Sequence, residues 1–307
     1  MIIRKDEIMK MLALQKEMND RTNGISWVHG ITKEKRSINW PRCIYGEAFE
    51  LMDSYPWKHW KGLNDPADMA NARKELTDIW HFLLSYGIHS HFMFSLFVTK
   101  KDLLGMASKK ESSPDFMEVN SVFNEDSYRN LIELSGYKTL LETGTVIDKD
   151  EYNKFYCTCV ESLLTDKIDR ALSVSNLDKS VDIYAELDFL NMIATKAAVF
   201  ERVVPEEGTE YMHYSTKVQM FDSMIAVFNR LLKNFLPMEL SREYLGKNAL
   251  NKFRQDNGYK EGTYIKIWSG EEDNVHLDTI LANFEKDEPI SFEEIYAHLE
   301  IRYKEFA

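Results

Sequence analysis

Apolar residues recur along most of this chain at intervals of three and four positions, the spacing that places them on one face of an α-helix. Alternating β-branched runs are scarce, and only 13 Gly and 7 Pro interrupt the pattern. The sequence therefore predicts an all-α fold, a helical bundle. The clearest helices are expected at about 4–22, at 40–53, and from Asp65, as N-cap before Pro66, to about Val98.

The charge balance narrows the range of partners. The 307 residues carry 38 Lys+Arg against 50 Asp+Glu, a formal net charge of −12, which argues against nucleic acid as a partner. No run of 18 apolar residues occurs, so no membrane-spanning segment is expected. Cys43, Cys157 and Cys159 are too few for a disulfide framework, which favours a cytoplasmic location.

Two acidic pairs form the most specific motif, which we name the carboxylate box: Glu47 with Glu50, and Glu75 with Asp78. Each pair is spaced i, i+3, so its two carboxylates share one face of a helix. If the loop between the pairs returns the chain antiparallel, four carboxylates converge and repel one another unless a cation lies among them. Hard oxygen ligands suit Mg²⁺. The alternative is that both pairs are solvated faces of an acidic protein.

The second acidic pair lies on a helix with a well-defined apolar face. Leu76, Ile79, Trp80, Leu83 and Gly87 follow the helical repeat and are expected to pack into a core. Glu75 and Asp78 fall on a different face of the same helix. The sequence thus predicts that the carboxylate box lies at a seam between helices.

The carboxylate box and its surroundings resemble a known family. Glu-x-x-Glu and Glu-x-x-Asp separated by 24 residues are similar to the signature of the all-α nucleoside triphosphate pyrophosphatases, and the flanking segments, EAFELMDSYPWKHWK (47–61) and ELTDIWHF (75–82), resemble the dimeric dUTPases. The resemblance implies a homodimer that hydrolyses dUTP and dUDP to dUMP and so keeps uracil out of DNA. It also implies two or three Mg²⁺ ions held by the carboxylate box, and a water that Glu50 orients or deprotonates for attack on the β-phosphorus.

Candidate nucleoside contacts fall in the first helix, in the loop after the second helix, and beside the second acidic pair. Gln15 and Asn19 share a helix face and offer the donors and acceptors that a uracil edge requires, although Asn19 could simply help to end its helix. The segment LQKEMND (14–20) resembles the family's first motif, which implies base or sugar contacts. The remaining candidates are Trp60, Lys61, His81 and Phe82. Trp57 is expected to anchor its loop in the core, and the resemblance implies that Phe82 fills the space of a 2′-hydroxyl.

A basic block near the C-terminus suits a triphosphate. Residues 247–266 contain five basic and two acidic residues, a local charge of +3. The alternative is a solvated basic helix with a glycine cap, but the run from Lys247 through Asn274 resembles the family's last motifs. The candidate substrate contacts in this block are Lys247, Asn251, Arg254, Asn257, Tyr259, Lys260 and Lys266.

The resemblance divides the chain into unequal parts. It predicts a catalytic helical core from residues 1–98 and 181–277, a variable helical insertion at 99–180, and a C-terminal helical segment at 278–307. Within the insertion, the composition of residues 105–120 indicates a linker. Two rival functions stay open. One is another pyrimidine or house-cleaning pyrophosphatase, such as a dCTPase or a MazG-like enzyme, and the other is a helical scaffold that binds nucleotide without catalysis.

Overall fold

The computed structural model describes residues 3–62, 64–108, 136–174, 182–285 and 290–306, and in these ranges the predicted all-α fold is confirmed. The only paired strands there are β1 (Ile267–Trp268) and β2 (Glu271–Glu272), an antiparallel hairpin in which Ile267 faces Glu272. The α-helices are α1 (Lys5–Asn23), α2 (Trp40–Asp53), α3 (Met69–Ser108), α4 (Lys138–Thr143), α5 (Lys149–Tyr156), α6 (Ser162–Ser173), α7 (Ile183–Phe200), α8 (Glu210–Arg230), α9 (Leu240–Asp256), α10 (Asp273–Ala282) and α11 (Phe292–Phe306).

The first two helices begin and end close to the predicted positions. Helix α1 stops at Gly24, whose φ of 79° few other residues tolerate. Helix α2 begins after Asn39, whose side-chain oxygen accepts a hydrogen bond from the Arg42 N–H at 3.0 Å. Local capping chemistry therefore accounts for these boundaries.

The predicted start of α3 is wrong by about three residues. The helix begins at Met69, because Asp68 rather than Asp65 accepts the hydrogen bond of a first-turn N–H, that of Asn71, at 2.9 Å. Asp65 instead closes a turn onto the carbonyl of Gly62. The helix also continues to Ser108, so residues 105–108 are helical rather than part of a linker. The rest of the predicted linker lies outside the described residues.

Helix α3 is the central helix of the main core and packs against α1, α2 and α8. Leu76, Ile79, Trp80 and Leu83 are fully buried, as the apolar face predicted. Gly87 permits a close approach, because a Cβ there would lie 2.7 Å from the ring of Phe221. This rigid packing fixes the orientation of the acidic face of α3.

The residues Met69–Lys101 are long and apolar enough to cross a membrane by length and composition, with a mean hydropathy of 1.2 in the most apolar window. In the fold, 67% of that window is buried against other helices. A buried core helix passes the same test as a membrane span, so this is weak evidence for a membrane. Length and composition alone therefore do not support the expectation of no membrane-spanning segment, and it is the burial of this helix that favours a core helix.

The C-terminal helices form a second core with the hairpin. Phe253, Trp268 and Leu299, from α9, β1 and α11, are buried together in this second core. The described part of the predicted insertion packs elsewhere, since Phe155 and Leu164 belong to the main core. The domain boundaries at 98, 180 and 277 stay predictions.

Candidate active site

Three carboxylates of the carboxylate box meet where α2 faces α3. Glu47 on α2 and Glu75 and Asp78 on α3 each offer an oxygen within 4.8 Å of the other two. Glu75 is only 3% exposed. Glu50 is exposed and lies outside this group, although its charge still acts on Glu47 and Glu75. The structure thus brings together three of the four predicted ligands and leaves the fourth beside them.

The crowding of these acids perturbs their protonation. Burial, reinforced by the charges of Asp78, Glu50 and Glu75, raises the pKa of Glu47 to about 8. Burial also raises the pKa of Glu75, although the nearby ammonium of Lys74 opposes the shift. Without a cation among the carboxylates, Glu47 and Glu75 therefore keep their protons to a higher pH than isolated carboxylates do.

Two lysines lie against the carboxylates. Lys247 of α9 places its Nζ 2.7 Å from Asp78 Oδ2, and both side chains are largely buried. Lys74 Nζ lies 3.5 Å from Glu75 Oε1 and is more exposed. Lys247 therefore faces the carboxylate box, the position that the basic block was predicted to take.

The donor set fits a hard divalent cation. Glu47, Glu75 and Asp78 offer only carboxylate oxygens, the ligands that Mg²⁺ prefers, and their mutual proximity is otherwise unfavourable. Exposed acidic groups are common without a metal, but Glu75 is buried. These residues could hold the ion that the sequence predicts.

A buried polar cluster lies one to two helical turns further along α3. We give this name to Gln15, Asn19, His81, Ser85 and Tyr244. Ser85 Oγ accepts hydrogen bonds from Gln15 Nε2 at 3.0 Å and from Asn19 Nδ2 at 2.9 Å. Gln15 Oε1 lies 2.8 Å from His81 Nδ1 and accepts from the Tyr244 hydroxyl at 3.1 Å. The two predicted base-reading amides are thus held in fixed orientations.

His81 carries an unpaired atom in this polar cluster. Its ring stacks on Tyr244 at 4.3 Å between centroids, and Nε2 is buried with no hydrogen-bond partner among the described residues. Burial, with help from the charge of Lys247, lowers the pKa of His81 to about 3, so the ring is neutral near pH 7. An unsatisfied buried nitrogen is rare in folded proteins and marks a place for a ligand or water.

The aromatic candidates lie on both sides of α2. Phe82 is half-buried, with its ring 6.2 Å from that of Trp40. Trp60 is 64% exposed in the loop after α2, and Lys61 is exposed beside it. The expectation that Trp57 anchors this loop in the core is wrong: Trp57 is 39% exposed and donates to Asp53 at 2.6 Å, which ties the loop to the end of α2.

The rest of the basic block is engaged in contacts within the second core and at its edges. Arg254 makes a two-point ion pair with the fully buried Asp273, at 2.8 and 2.7 Å. Its guanidinium carbon lies 6.0 Å from the ring centroid of Tyr259. Half-buried Asn251 lies one turn before Arg254 on α9.

The other candidates in this block lie after α9. Asn257 Nδ2 donates to the carbonyl of Phe253 at the helix end. Lys260 donates to the Thr22 carbonyl at 2.6 Å, and Lys266 pairs with Glu272 at 3.3 Å. These contacts are with protein groups outside the carboxylate box, so the predicted roles of the three residues toward substrate stay predictions.

A groove of about 670 Å³ opens beside the carboxylate box, between α3, α9 and α10. Lys247, Lys74 and Arg73 line it, together with the acidic side chains of Glu243 and Asp278.

Four contributors to the site were not predicted from the sequence: Arg73, Lys74, Ser85 as a hydrogen-bond acceptor, and Tyr244. The helical period could have identified the first three, since each lies within one or two turns of the acidic pair. Tyr244 comes from a distant helix and left no local signal.

Comparison with known proteins agrees with this geometry in one part of the chain. A family model described as dUTPase, the all-α dimeric type, matches residues 7–154. The matched range contains the carboxylate box and most of the polar cluster, whereas the basic block lies outside it. No curated protein matches the chain.

Proposed function

Since this chain belongs to the dUTPase family over residues 7–154, we propose that it is a Mg²⁺-dependent dUTP diphosphatase that converts dUTP, and also dUDP, to dUMP. The family supports dUTP hydrolysis in general. The metal requirement and the activity on dUDP are our proposals. The observation that carries the metal requirement is the meeting of Glu47, Glu75 and Asp78 within 4.8 Å, whereas the activity on dUDP is inferred from the family resemblance alone.

Glu47, Glu75 and Asp78 would hold the two or three ions that the family resemblance implies. When bound, Mg²⁺ would neutralise phosphate charge and lower the pKa of a water molecule. Glu50 is exposed at the edge of the box, where solvent can reach it. We assign to Glu50 the role of orienting the attacking water and accepting its proton.

The phosphates would lie in the groove beside the box. Lys247 and Lys74 present ammonium groups there, and Arg73 adds a guanidinium. Such donors stabilise the charge that grows on a departing pyrophosphate. Arg254, Lys260 and Lys266 lie further along the basic block, and we propose that they contact the phosphates only after leaving their present partners.

The base would bind at the polar cluster. Gln15 and Asn19 carry both donors and acceptors, and Ser85 fixes the orientation of both amides. If Nδ1 of His81 donates to Gln15 Oε1, the unpaired Nε2 is an acceptor, which suits the N3–H of uracil and not the bare N3 of cytosine. This favours dUTP over dCTP. A second pyrimidine nucleotide as substrate is the main rival.

The sugar would pass between the polar cluster and the loop after α2. Phe82 is half-buried next to Trp40 and would fill the space of a 2′-hydroxyl. Trp60 and Lys61 are exposed in the loop, and we propose that they contact the nucleotide. Asn251, Asn257 and Tyr259 complete the proposed contacts.

We further propose that the protein acts as a cytoplasmic homodimer, with neither nucleic acid nor membrane as a partner. Helix α7 exposes Phe189, Met192 and Val199 at helical spacing, an apolar surface of the kind that a second copy can cover. The three cysteines are unpaired thiols, which suits a reducing compartment.

The decisive test is a substrate panel with one active-site variant and one control. Purified protein is given dUTP, dUDP, dCTP or UTP, with Mg²⁺ or with EDTA, and product release is measured. We expect Mg²⁺-dependent hydrolysis of dUTP, and a loss of kcat of at least ~10²-fold in Glu50→Gln, the scale of a lost general base. Exposed Glu17 on α1 provides the matched control, Glu17→Gln, which should behave like the wild type.

Two results would contradict the proposal. Equal rates for Glu50→Gln and Glu17→Gln would make the carboxylate box a solvated surface. Binding of dUTP without any metal-dependent turnover would instead favour the nucleotide-binding scaffold.

A further inference from the structure

Lys247 is already bound to a predicted metal ligand. Its ammonium lies 2.7 Å from Asp78 Oδ2, and the two side chains are 9% and 18% exposed. An ion pair so poorly solvated is held by a short, charge-assisted hydrogen bond. Lys247 therefore supplies to the box part of the positive charge that a metal would supply.

The ammonium and a divalent cation compete for the same carboxylate. An ion coordinated by Asp78 repels a positive charge held at hydrogen-bond distance from that carboxylate, so each weakens the binding of the other. Lys247 also lines the groove beside the box, together with Lys74 and Arg73 and with the acidic side chains of Glu243 and Asp278. A rotation of its side chain away from Asp78 would direct the ammonium toward an anion in the groove.

We propose that Lys247 is an exchangeable internal counter-ion: it neutralises Asp78 in the metal-free protein, leaves Asp78 when a divalent cation binds, and then pairs with the phosphates of the nucleotide. The proposal rests on the proposed function, because it requires that metal and a nucleoside polyphosphate share this site. It goes beyond a phosphate contact, since the same side chain pairs first with the metal-binding carboxylate of Asp78 and then with the phosphates.

Exchange of this kind couples the two ligands. A nucleotide that draws Lys247 into the groove removes a competitor from the metal site and so raises the affinity for metal. By linkage, the metal raises the affinity for nucleotide by the same factor. The order in which metal and nucleotide bind does not affect this result, because both routes end in the same complex.

The experiment measures Mg²⁺ affinity by titration calorimetry, with and without the non-hydrolysable α,β-imido analogue of dUTP. We expect the analogue to tighten Mg²⁺ binding to the wild type by about 10-fold or more, within the usual range of coupling between sites. In Lys247→Gln, Mg²⁺ binding without analogue should be on the order of 10-fold tighter than in the wild type, and the tightening by analogue should largely vanish. Lys247→Met, which keeps the length of the stem, should behave alike if the glutamine variant folds poorly.

Lys252→Gln is the matched control, because it removes the same charge from the same helix, at a side chain that pairs with Asp256 at 2.8 Å and not with the carboxylate box. It should change Mg²⁺ affinity by less than ~3-fold, the range expected for a partly exposed pair. Equal changes of Mg²⁺ affinity in both variants would indicate a general effect of removing positive charge. That result would contradict the proposed exchange of Lys247. Unchanged or weaker Mg²⁺ binding in Lys247→Gln and Lys247→Met would do the same. If the wild type bound no Mg²⁺ and hydrolysed no dUTP, the proposed function itself would fail.

Discussion

The ion pair between Arg254 and Asp273 offers the clearest quantitative test of the structure. Asp273 is fully buried and is held by Arg254 through Nε and Nη2, and by the hydroxyl of Tyr264 at 2.8 Å. Arg254→Ala leaves that carboxylate without its counter-charge. Removal of one partner from a buried pair costs about 3–5 kcal/mol of unfolding free energy. Since the Tyr264 hydrogen bond survives, we expect about 3 kcal/mol, the lower end of that range.

The assay is urea unfolding followed by tryptophan fluorescence; Trp268, one of six tryptophans in the chain, lies in the same second core. Asp273→Asn is the informative partner variant, because it breaks the ion pair while keeping the guanidinium. If Arg254 also contacts phosphate, Arg254→Ala should lower kcat/KM by ~10²-fold or more, whereas Asp273→Asn should lose stability and retain most activity. A loss below ~1 kcal/mol for Arg254→Ala would refute the reasoning, because it would place the pair among solvent-exposed ones.

Three further outcomes follow from the site and the core. Glu47 keeps its proton up to about pH 8 in the folded state, whereas the unfolded chain releases it near 4.5, so metal-free stability should fall as pH rises from about 4.5 to about 8. Melting curves in EDTA should show this fall in the wild type and a flatter profile in Glu47→Gln. Phe82→Ala should narrow the preference for dUTP over UTP in competition assays, and an unchanged preference would return Phe82 to a purely structural role. Gly87→Ala should destabilise the protein by ~1–3 kcal/mol in urea unfolding, because its Cβ would lie 2.7 Å from Phe221.

The helices that local chemistry specifies were predictable from sequence, and the one boundary error has a local cause. Asp65 and Asp68 both offer a capping carboxylate, and Pro66 made the first the better candidate by pattern alone. The structure uses Asp68, whose backbone carbonyl accepts the first α-helical hydrogen bond, from Ala72. A choice between two equivalent caps depends on how the loop packs, and one sequence does not show that.

The helix face of each acidic pair was predictable, because i, i+3 spacing fixes that face whatever the tertiary contacts. The polar cluster was only half predictable. Gln15 and Asn19 were identified on α1, but the hydroxyls that orient the cluster come from Ser85 and Tyr244, more than 60 residues away along the chain. Contacts over such distances depend on how helices cross, which periodicity does not specify.

Helix α3 also sets a fixed distance between the two ends of the candidate site. Glu75 and Ser85 are ten residues apart on one continuous helix, a rise of about 15 Å that no loop can stretch or shorten. If the base binds at the Ser85 end and the phosphates at the Glu75 end, the length of the ligand decides what can span both. In dUDP and in dUTP the β-phosphate lies at the same distance from the base. In dUMP there is no β-phosphate. The product, dUMP, would then be too short to contact both ends of the site at once. Its release would therefore follow from the fixed length of this helix.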